Sequence, residues 1–443
     1  MAQNIMYITD SNLAGDLKNL YEDIRQDLVP IVTPLLSAIK KKGNDGIGNV
    51  QWGGNNMYFD VVTQPEVNWS WSTTGQLPYS TQAQEVQGNV GIARFYITRA
   101  FDRLPIVGTQ TKEMAFISLR EKITRAFAQG YSLGMEEALQ GNATGTKAVI
   151  ITASTTVSIV VQSPYGVSGA GPGGLWLKPQ MYVAVYDATG VTNRGTAQIT
   201  TVGNVQTATG VCTLTLATGI SNMAATDLVV QANQSGDALN AYCNGLINIT
   251  NRGGAYTTLH ALSAATYGRW DATKFTAGTQ TDTTTCQEMD LWTLATQLFA
   301  QSGFSATMNP SEYILVTTFG IGKQLIQSVL SQRMQPISGT GKVRLPNGYE
   351  AETILGIPLI MDPYCPLGTV YLLHLPSLFW VDALDWSPVQ YESSGTVRFV
   401  TGQDAYEISM AQYINTGTKQ RNAHGSIISY TDTQAFNWNV SNG

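Results

Sequence analysis

Charge is unusually scarce in this sequence. Of its 443 residues, 13% are Asp, Glu, Lys or Arg, where about 25% is usual. Hydrophobic content is ordinary at 43%, so Thr, Ser, Asn, Gln and Gly stand where charge would be. A polar, uncharged surface is buried against another protein at low desolvation cost. That leans toward an obligate oligomer; a β-rich protein built on Thr and Val is the plainer reading. Net charge is −6, and the one basic run is Lys40-Lys41-Lys42. Clustered cations for gripping nucleic-acid phosphates are therefore missing. The run reads as the solvated end of a helix.

Cysteine and histidine are sparser still, at four and three residues. Cys212, Cys243, Cys286 and Cys365 lie far apart and match neither a zinc spacing nor a disulfide framework. Small buried thiols in a reducing compartment fit them. His260, His374 and His424 are the only histidines, which leaves little for acid–base or metal chemistry. His374 follows Asp362-Pro363-Tyr364-Cys365, the one hint of a Cys-His-Asp site. No nucleophile elbow accompanies it, and a half-buried strand histidine satisfied by backbone is the simpler reading. Glu136-Glu137 and the pair Glu350 and Glu352 read as a solvated face or an intersubunit salt bridge. The loop from Gly169 to Gly174 lacks the Lys-Ser/Thr of a phosphate cradle. No catalytic, cofactor-binding or metal residue is assigned, and no cofactor is expected. No apolar run approaches about 18 residues, so no membrane helix is expected. Met1-Ala2-Gln3-Asn4-Ile5 has no basic n-region, so no secretory signal is expected.

What is present falls into an ordered series. Leu13, Leu17, Leu20, Ile24 and Leu28 recur at helical spacing, an amphipathic segment that needs a partner for its stripe. After Gly43 the period becomes two. Met57, Phe59 and Val61, then Val67, Trp69 and Trp71, run up to a turn-rich tip around Leu77-Pro78. Val90, Ile92, Arg94 and Tyr96 run back. This predicts a long two-stranded ribbon from about Val50 to Asp102. Isolated hairpins are marginal and their edges sticky, so something must cover it. Thr111 to Leu139, with Phe116, Leu119, Ile123, Phe127, Tyr131 and Met135, predicts one long helix. From 146 to 235 only Lys147, Lys178, Asp187, Arg194 and Asp227 are charged. Alternating runs such as Tyr182–Tyr186 and Cys212–Leu216 predict a small all-β sandwich or barrel. Beyond Gly236 helices and strands mix, and the last hundred or so residues return to alternation.

That order of elements resembles the major capsid proteins of tailed bacteriophages, an α+β architecture known as the Hong Kong 97 fold. Softer local likenesses add to it: Gly245-Leu246-Ile247-Asn248-Ile249, Leu345-Pro346-Asn347-Gly348-Tyr349-Glu350, Ile354 to Ile360, and Asp362-Pro363-Tyr364-Cys365-Pro366. The resemblance implies an N-terminal arm over 1–49 and an extended β-ribbon, the E-loop, over 50–104. It implies a peripheral domain with a spine helix over 105–145 and an axial domain over 236–380. Residues 381–443 would return to the peripheral domain. The segment 146–235 departs from the minimal fold as an inserted β-domain, for outer display or contacts between capsomers. The implied function is self-assembly into hexamers and pentamers of an icosahedral head. The implied partners are a scaffolding protein, a portal, decoration proteins and weakly contacted double-stranded DNA, with no membrane. Candidate intersubunit residues are Leu13, Leu17, Leu20 and Ile24 on the arm and Trp69, Trp71, Leu77 and Pro78 on the ribbon, with Arg94 and Arg99 beyond. Some relatives carry a cleaved scaffolding segment ahead of the arm; with the arm starting near Met1, a separate scaffold is expected. Others crosslink through an E-loop lysine, but none occurs between Gly43 and Thr111. An encapsulin-like compartment, a β-rich surface or adhesin protein, and a hydrolase using His374 and Cys365 are the rival readings.

Overall fold

The computed structural model describes residues 35, 38–39, 41–42, 51–53, 56–64, 71–73, 75–77, 84–102, 113–153, 155–162, 176–203, 211–232, 242–302, 312–332, 343–344, 350–390, 397–400 and 404–432. The amphipathic segment over 13–28 and the loop from Gly169 to Gly174 lie outside them. The described residues form two compact units: a smaller one within 93–135 and 382–414, and a larger one within 34–92, 136–381 and 415–443.

In the larger unit β1 (Gln51–Gly53), β2 (Asn56–Gln64) and β3 (Gln84–Gly91) make a three-stranded antiparallel sheet in that order. Period-two alternation works as expected in β2: Met57 and Phe59 are buried and Asp60 is exposed. The returning strand is shorter than alternation predicts. It stops at Gly91, and β4 (Ala93–Asp102) belongs to the smaller unit, paired antiparallel with residues 405–414. A change of parity marks the break. Val90 is buried before it, whereas Phe95 and Ile97 face other side chains after it.

The long helix α1 spans Glu113–Leu139. In the smaller unit its Phe127 packs with Ile97, Trp386, Tyr406, Ile408 and Met410. Tyr131 adds ring contacts to Phe95 at 5.7 Å and Trp386 at 4.8 Å. Gly130 and Gly134 each cost a helix about 1 kcal/mol relative to Ala. Their use is close approach: a Cβ on Gly134 would lie 3.0 Å from the Phe95 ring, and one on Gly130 3.4 Å from Ile97 Cδ1.

The charge-poor segment folds as a closed barrel. Its strands are β5 (Thr146–Ala153), β6 (Ser158–Gln162), β7 (Tyr182–Tyr186), β8 (Asn193–Val202), β9 (Cys212–Leu216) and β10 (Leu228–Gln231). Their order is β9-β6-β5-β10-β7-β8, closing on β9. Ile150, Ile159, Val161, Val183, Val185, Ile199, Leu214 and Leu216 fill the inside. Closure leaves no free edge.

A seven-stranded mixed sheet completes the larger unit. It contains β11 (Thr273–Thr276), β12 (Tyr313–Thr317), β13 (Val343–Arg344), β14 (Glu350–Ile354), β15 (Ile357–Met361) and β16 (Val370–His374). Helices α2 (Glu288–Ser302) and α3 (Phe319–Gln332) cover it, with Leu294, Leu298 and Leu325 against Leu315, Leu359 and Leu372. Every residue of β12 is buried, which explains its unbroken apolar run. After it come β17 (Leu378–Pro388), β18 (Val397–Phe399), β19 (Ala405–Thr418) and β20 (Gly425–Ile428).

Two expectations change here. Residues 381–443 do not all rejoin one domain, because β20 inserts into the mixed sheet between β11 and β16. Without it the buried edges of those two strands would leave backbone groups unpaired. Lys41–Lys42 is not a helix end. It is a short strand running parallel to Trp380–Val381 of β17.

Candidate assembly surface

The ribbon divides into a fastened base and a bare end. At the base Met57, Phe59 and Val90 share a cluster with Leu262, Trp270, Phe379 and Val381. The Phe59 ring meets His260 edge-on at 5.6 Å and Phe379 at 6.2 Å. Gly88 makes room beneath it, since a Cβ there would fall 2.9 Å from Phe59 Cζ and push the ring out of place. Backbone bonds complete the attachment. Asn89 N–H donates to His260 O at 2.9 Å, and the Asn415 side-chain amide donates to Gly91 O. His260 and Ala261 form the two-residue turn between Leu259 and Leu262, with φ of 55° and 63°. Both are left-handed, as in a type I′ hairpin turn, although neither is glycine or asparagine. The turn holds His260 against the ribbon. Its Nε2 accepts from Thr418 N–H at 3.1 Å, and burial, helped by Arg421, pulls its pKa down to about 3.

Past Asp60 the protection fades. Val62 and Gln64 are exposed, and at the tip Trp71 is 95% and Leu77 92% exposed. Ser72 Oγ accepts from Gln76 N–H at 2.9 Å, which tightens the turn without covering either side chain. A bare Trp and a bare Leu on one tip are costly in water and suit burial in a partner's pocket.

The other predicted contact residues are scattered. Leu13, Leu17, Leu20, Ile24, Trp69 and Pro78 lie outside the described residues. Arg94 is exposed on β4, its guanidinium 5.7 Å from the Tyr413 ring centroid, while Arg99 is partly buried opposite Ile408. Sequence reasoning named no contact residue on α2, although Leu291, Leu294, Leu298 and Phe299 mark it as a helix. Its Leu291, Leu294 and Leu298 turn inward, but Met289 is 62% and Trp292 51% exposed. Apolar residues off that stripe were the available signal.

Glu136 and Glu137 are not solvated. Both are buried. Glu137 receives Lys147 at 2.7 Å and Lys178 at 3.3 Å. Burial pulls the Lys147 ammonium down, and Glu137, with Tyr242 and Cys243, more than restores it, leaving a net rise. Glu136 accepts Leu35 N–H at 3.2 Å and bonds to Asp362, whose pKa burial raises to about 6. The suspected Cys-His pair is not assembled either. Cys365 Sγ faces the Pro366 and Thr369 carbonyls, and burial lifts its pKa well above the usual thiol value. His374 is fully rather than half buried, with Nδ1 3.1 Å from Ser377 Oγ. Ser377 Oγ in turn lies 3.2 Å from His424 Nε2. Burial, then His374 and Arg421, lower His424 to about 3. These are neutral histidines closing a buried hydrogen-bond network. Among the described residues no group of three or more His, Cys, Asp or Glu side chains is arranged to hold a metal. No helix among them is long and apolar enough to cross a membrane.

No protein-family model matches the chain, and no curated protein matches it. Solved structures do. A chain of the cyanophage A-1(L) capsid asymmetric unit is similar at a TM-score of 0.52 and 14% identity, covering 96% of this chain and 99% of that one. A chain of the holo-SrpI encapsulin complex from Synechococcus elongatus PCC 7942 gives 0.44 at 10% identity, covering 98% and 99%. The capsid of a native GTA particle gives 0.43 at 7% identity, covering 92% and 93%. Nearly end to end, the chain has the fold of the cyanophage capsid protein.

Proposed function

We propose that the chain is the repeating subunit of a phage head, a major capsid protein. It closes into hexamers and pentamers of an icosahedral shell, assembled in a bacterial cytoplasm around double-stranded DNA. The observation that carries this is the ribbon: pinned at its base, on a phage-capsid fold, and ending in exposed Trp71 and Leu77. In this reading the tip docks on a neighbouring subunit, as does the segment carrying Leu13, Leu17, Leu20 and Ile24. Head-to-tail contacts that close by rotation make rings. Net charge of −6 keeps contact with the genome weak and non-specific. A scaffolding protein, a portal and decoration proteins are the further partners.

The test is expression of the chain, alone and with candidate scaffolds, followed by electron microscopy. Rings or closed shells are expected. A chain that stays monomeric under every condition overturns the reading. Packaged nucleic acid rather than an enzyme cargo separates a phage head from a compartment shell. Trp71→Ser with Leu77→Ser should leave a soluble, folded subunit that no longer assembles; normal shells from that variant would remove the tip as an anchor.

A further inference from the structure

The chain has three histidines, and the fold gathers all of them into one hydrogen-bonded path. It begins at the surface with Glu312, whose side chain is 45% exposed and whose Oε2 lies 3.6 Å from His374 Nε2. His374 ends β16, and its Nδ1 lies 3.1 Å from Ser377 Oγ. His424 Nε2 lies 3.2 Å from that hydroxyl and 2.9 Å from Thr418 Oγ1, at the end of β19. Thr418 N–H donates to His260 Nε2 at 3.1 Å. His260 is the ribbon's end of the path: its carbonyl accepts Asn89 N–H and its ring meets Phe59.

Backbone donors fix the protons of the two inner rings. An N–H needs a lone pair to accept it. His260 Nε2 is therefore unprotonated, as is His424 Nδ1, which accepts His374 N–H at 3.2 Å. Each neutral ring carries its hydrogen on the other nitrogen. A second proton has to go onto the nitrogen that a backbone N–H occupies, so charging either ring breaks its backbone bond. The surroundings offer no compensation. Both rings face Arg421, a cation whose guanidinium is committed to the carbonyls of Asn248, Ile249, Tyr256 and Thr257 and whose own facing carboxylate is Asp271. His260 otherwise packs on Phe59 and Trp270. His424 also faces His374, which in turn faces Glu312 and Tyr313.

We propose that His260 is an acid-released latch: neutral, it fastens the base of the ribbon to the end of β19, and protonated, it parts from Thr418 and lets the base open while the barrel stays closed. Thr418 ties the latch to His424, so the two rings are released singly or together. The latch concerns the ribbon's base and goes beyond the assembly reading, since it holds whatever covers the tip.

Hydrogen exchange of the whole chain between pH 7 and 4.5, corrected for intrinsic rates, tests it. The barrel is the internal control, because residues 146–231 contain no histidine. A histidine that titrates near 6.5 when released and about 3 when latched makes the open state roughly 75-fold more populated at pH 4.5 than at pH 7. Amides of β2 and β3 should show at least that rise. Its logarithm should climb by about one per pH unit below 6.5 if His260 is released alone, and by about two if His424 goes with it. Barrel amides should rise at least about tenfold less. His260→Gln keeps an acceptor for Thr418 N–H and does not titrate, so it should retain protection at pH 7 and lower the slope by about one. His260→Asn, suited to the left-handed backbone there, should lower the slope equally against its own value at pH 7. If neither variant folds, the parental contrast between ribbon and barrel decides. Ribbon amides that loosen no more than the barrel's, or a slope unchanged in the variants, overturns the latch.

Discussion

The ribbon and the barrel are both β-structures from charge-poor sequence, yet they solve the edge problem in opposite ways. The barrel closes on itself and buries fifteen hydrophobic residues as one core. The ribbon stays open, with three strands, a buried base and a bare end. A closed β-module completes itself, whereas an open one defers part of its burial to something outside the chain. Stability should therefore be concentrated in the barrel and at the ribbon's base, and association in the exposed ends.

The sharpest way to break this contrast is Leu214→Asp. A charge at a fully buried barrel position should cost more than about 4 kcal/mol and unfold the barrel, as seen by loss of hydrogen-exchange protection across β5 to β10. An unchanged exchange pattern would mean the barrel does not depend on its core. Phe59→Ala comes next, at about 3–4 kcal/mol by cavity formation, measured by guanidinium unfolding; a loss under about 1 kcal/mol would show the base is not pinned through this ring.

Acid then probes the same base. His260 and His424 each titrate near 6.5 when unfolded and about 3 when folded, so the unfolded state binds their protons first and stability falls below pH 6.5. From pH 7 to 4.5 the two cost about 5 kcal/mol. Asp362 works the other way, because its folded pKa is raised from 3.8 to about 6 and the folded state takes that proton first. It returns about 2 kcal/mol over the same interval. The net loss should be about 3 kcal/mol, and Asp362→Asn should steepen it. A flat profile between pH 7 and 4.5 would contradict both assignments. The smallest expected effect on stability is Trp71→Ser, within about 0.5 kcal/mol, despite its predicted loss of assembly. A large drop in melting temperature would place Trp71 in the subunit's own core.

Legibility in the sequence followed the same division. Where alternation alone decides structure, as in Tyr182–Tyr186, Cys212–Leu216 and Met57 to Val61, residues and strands agree. Strands β5 and β10 went unread because their short apolar runs lack clear alternation. The break at Ile92 was hidden because the apolar pattern continues across it while its inward parity switches. The turn at His260-Ala261 carries no Gly or Asn to announce it. Glu137 could not be read as buried, since its cations lie 10 and 41 residues away in sequence. Of the contact candidates, Trp71 and Leu77 were legible as turn-tip apolar residues. Met289 and Trp292 required knowing which face of α2 the core occupies.

One detail of the barrel bears on its history. Its first strand and last strand are partners, with Thr146 opposite Val230, so the chain arrives and departs about 5 Å apart. A module whose ends are neighbours can be gained, lost or exchanged without moving what flanks it, because the loop closed by its removal is short. The barrel is built as a cassette. Replacing residues between Thr146 and Val230 would also remove Lys147 and Lys178, the cations of buried Glu137, so an exchanged domain must bring a cation to that carboxylate or be paired with Glu137→Gln.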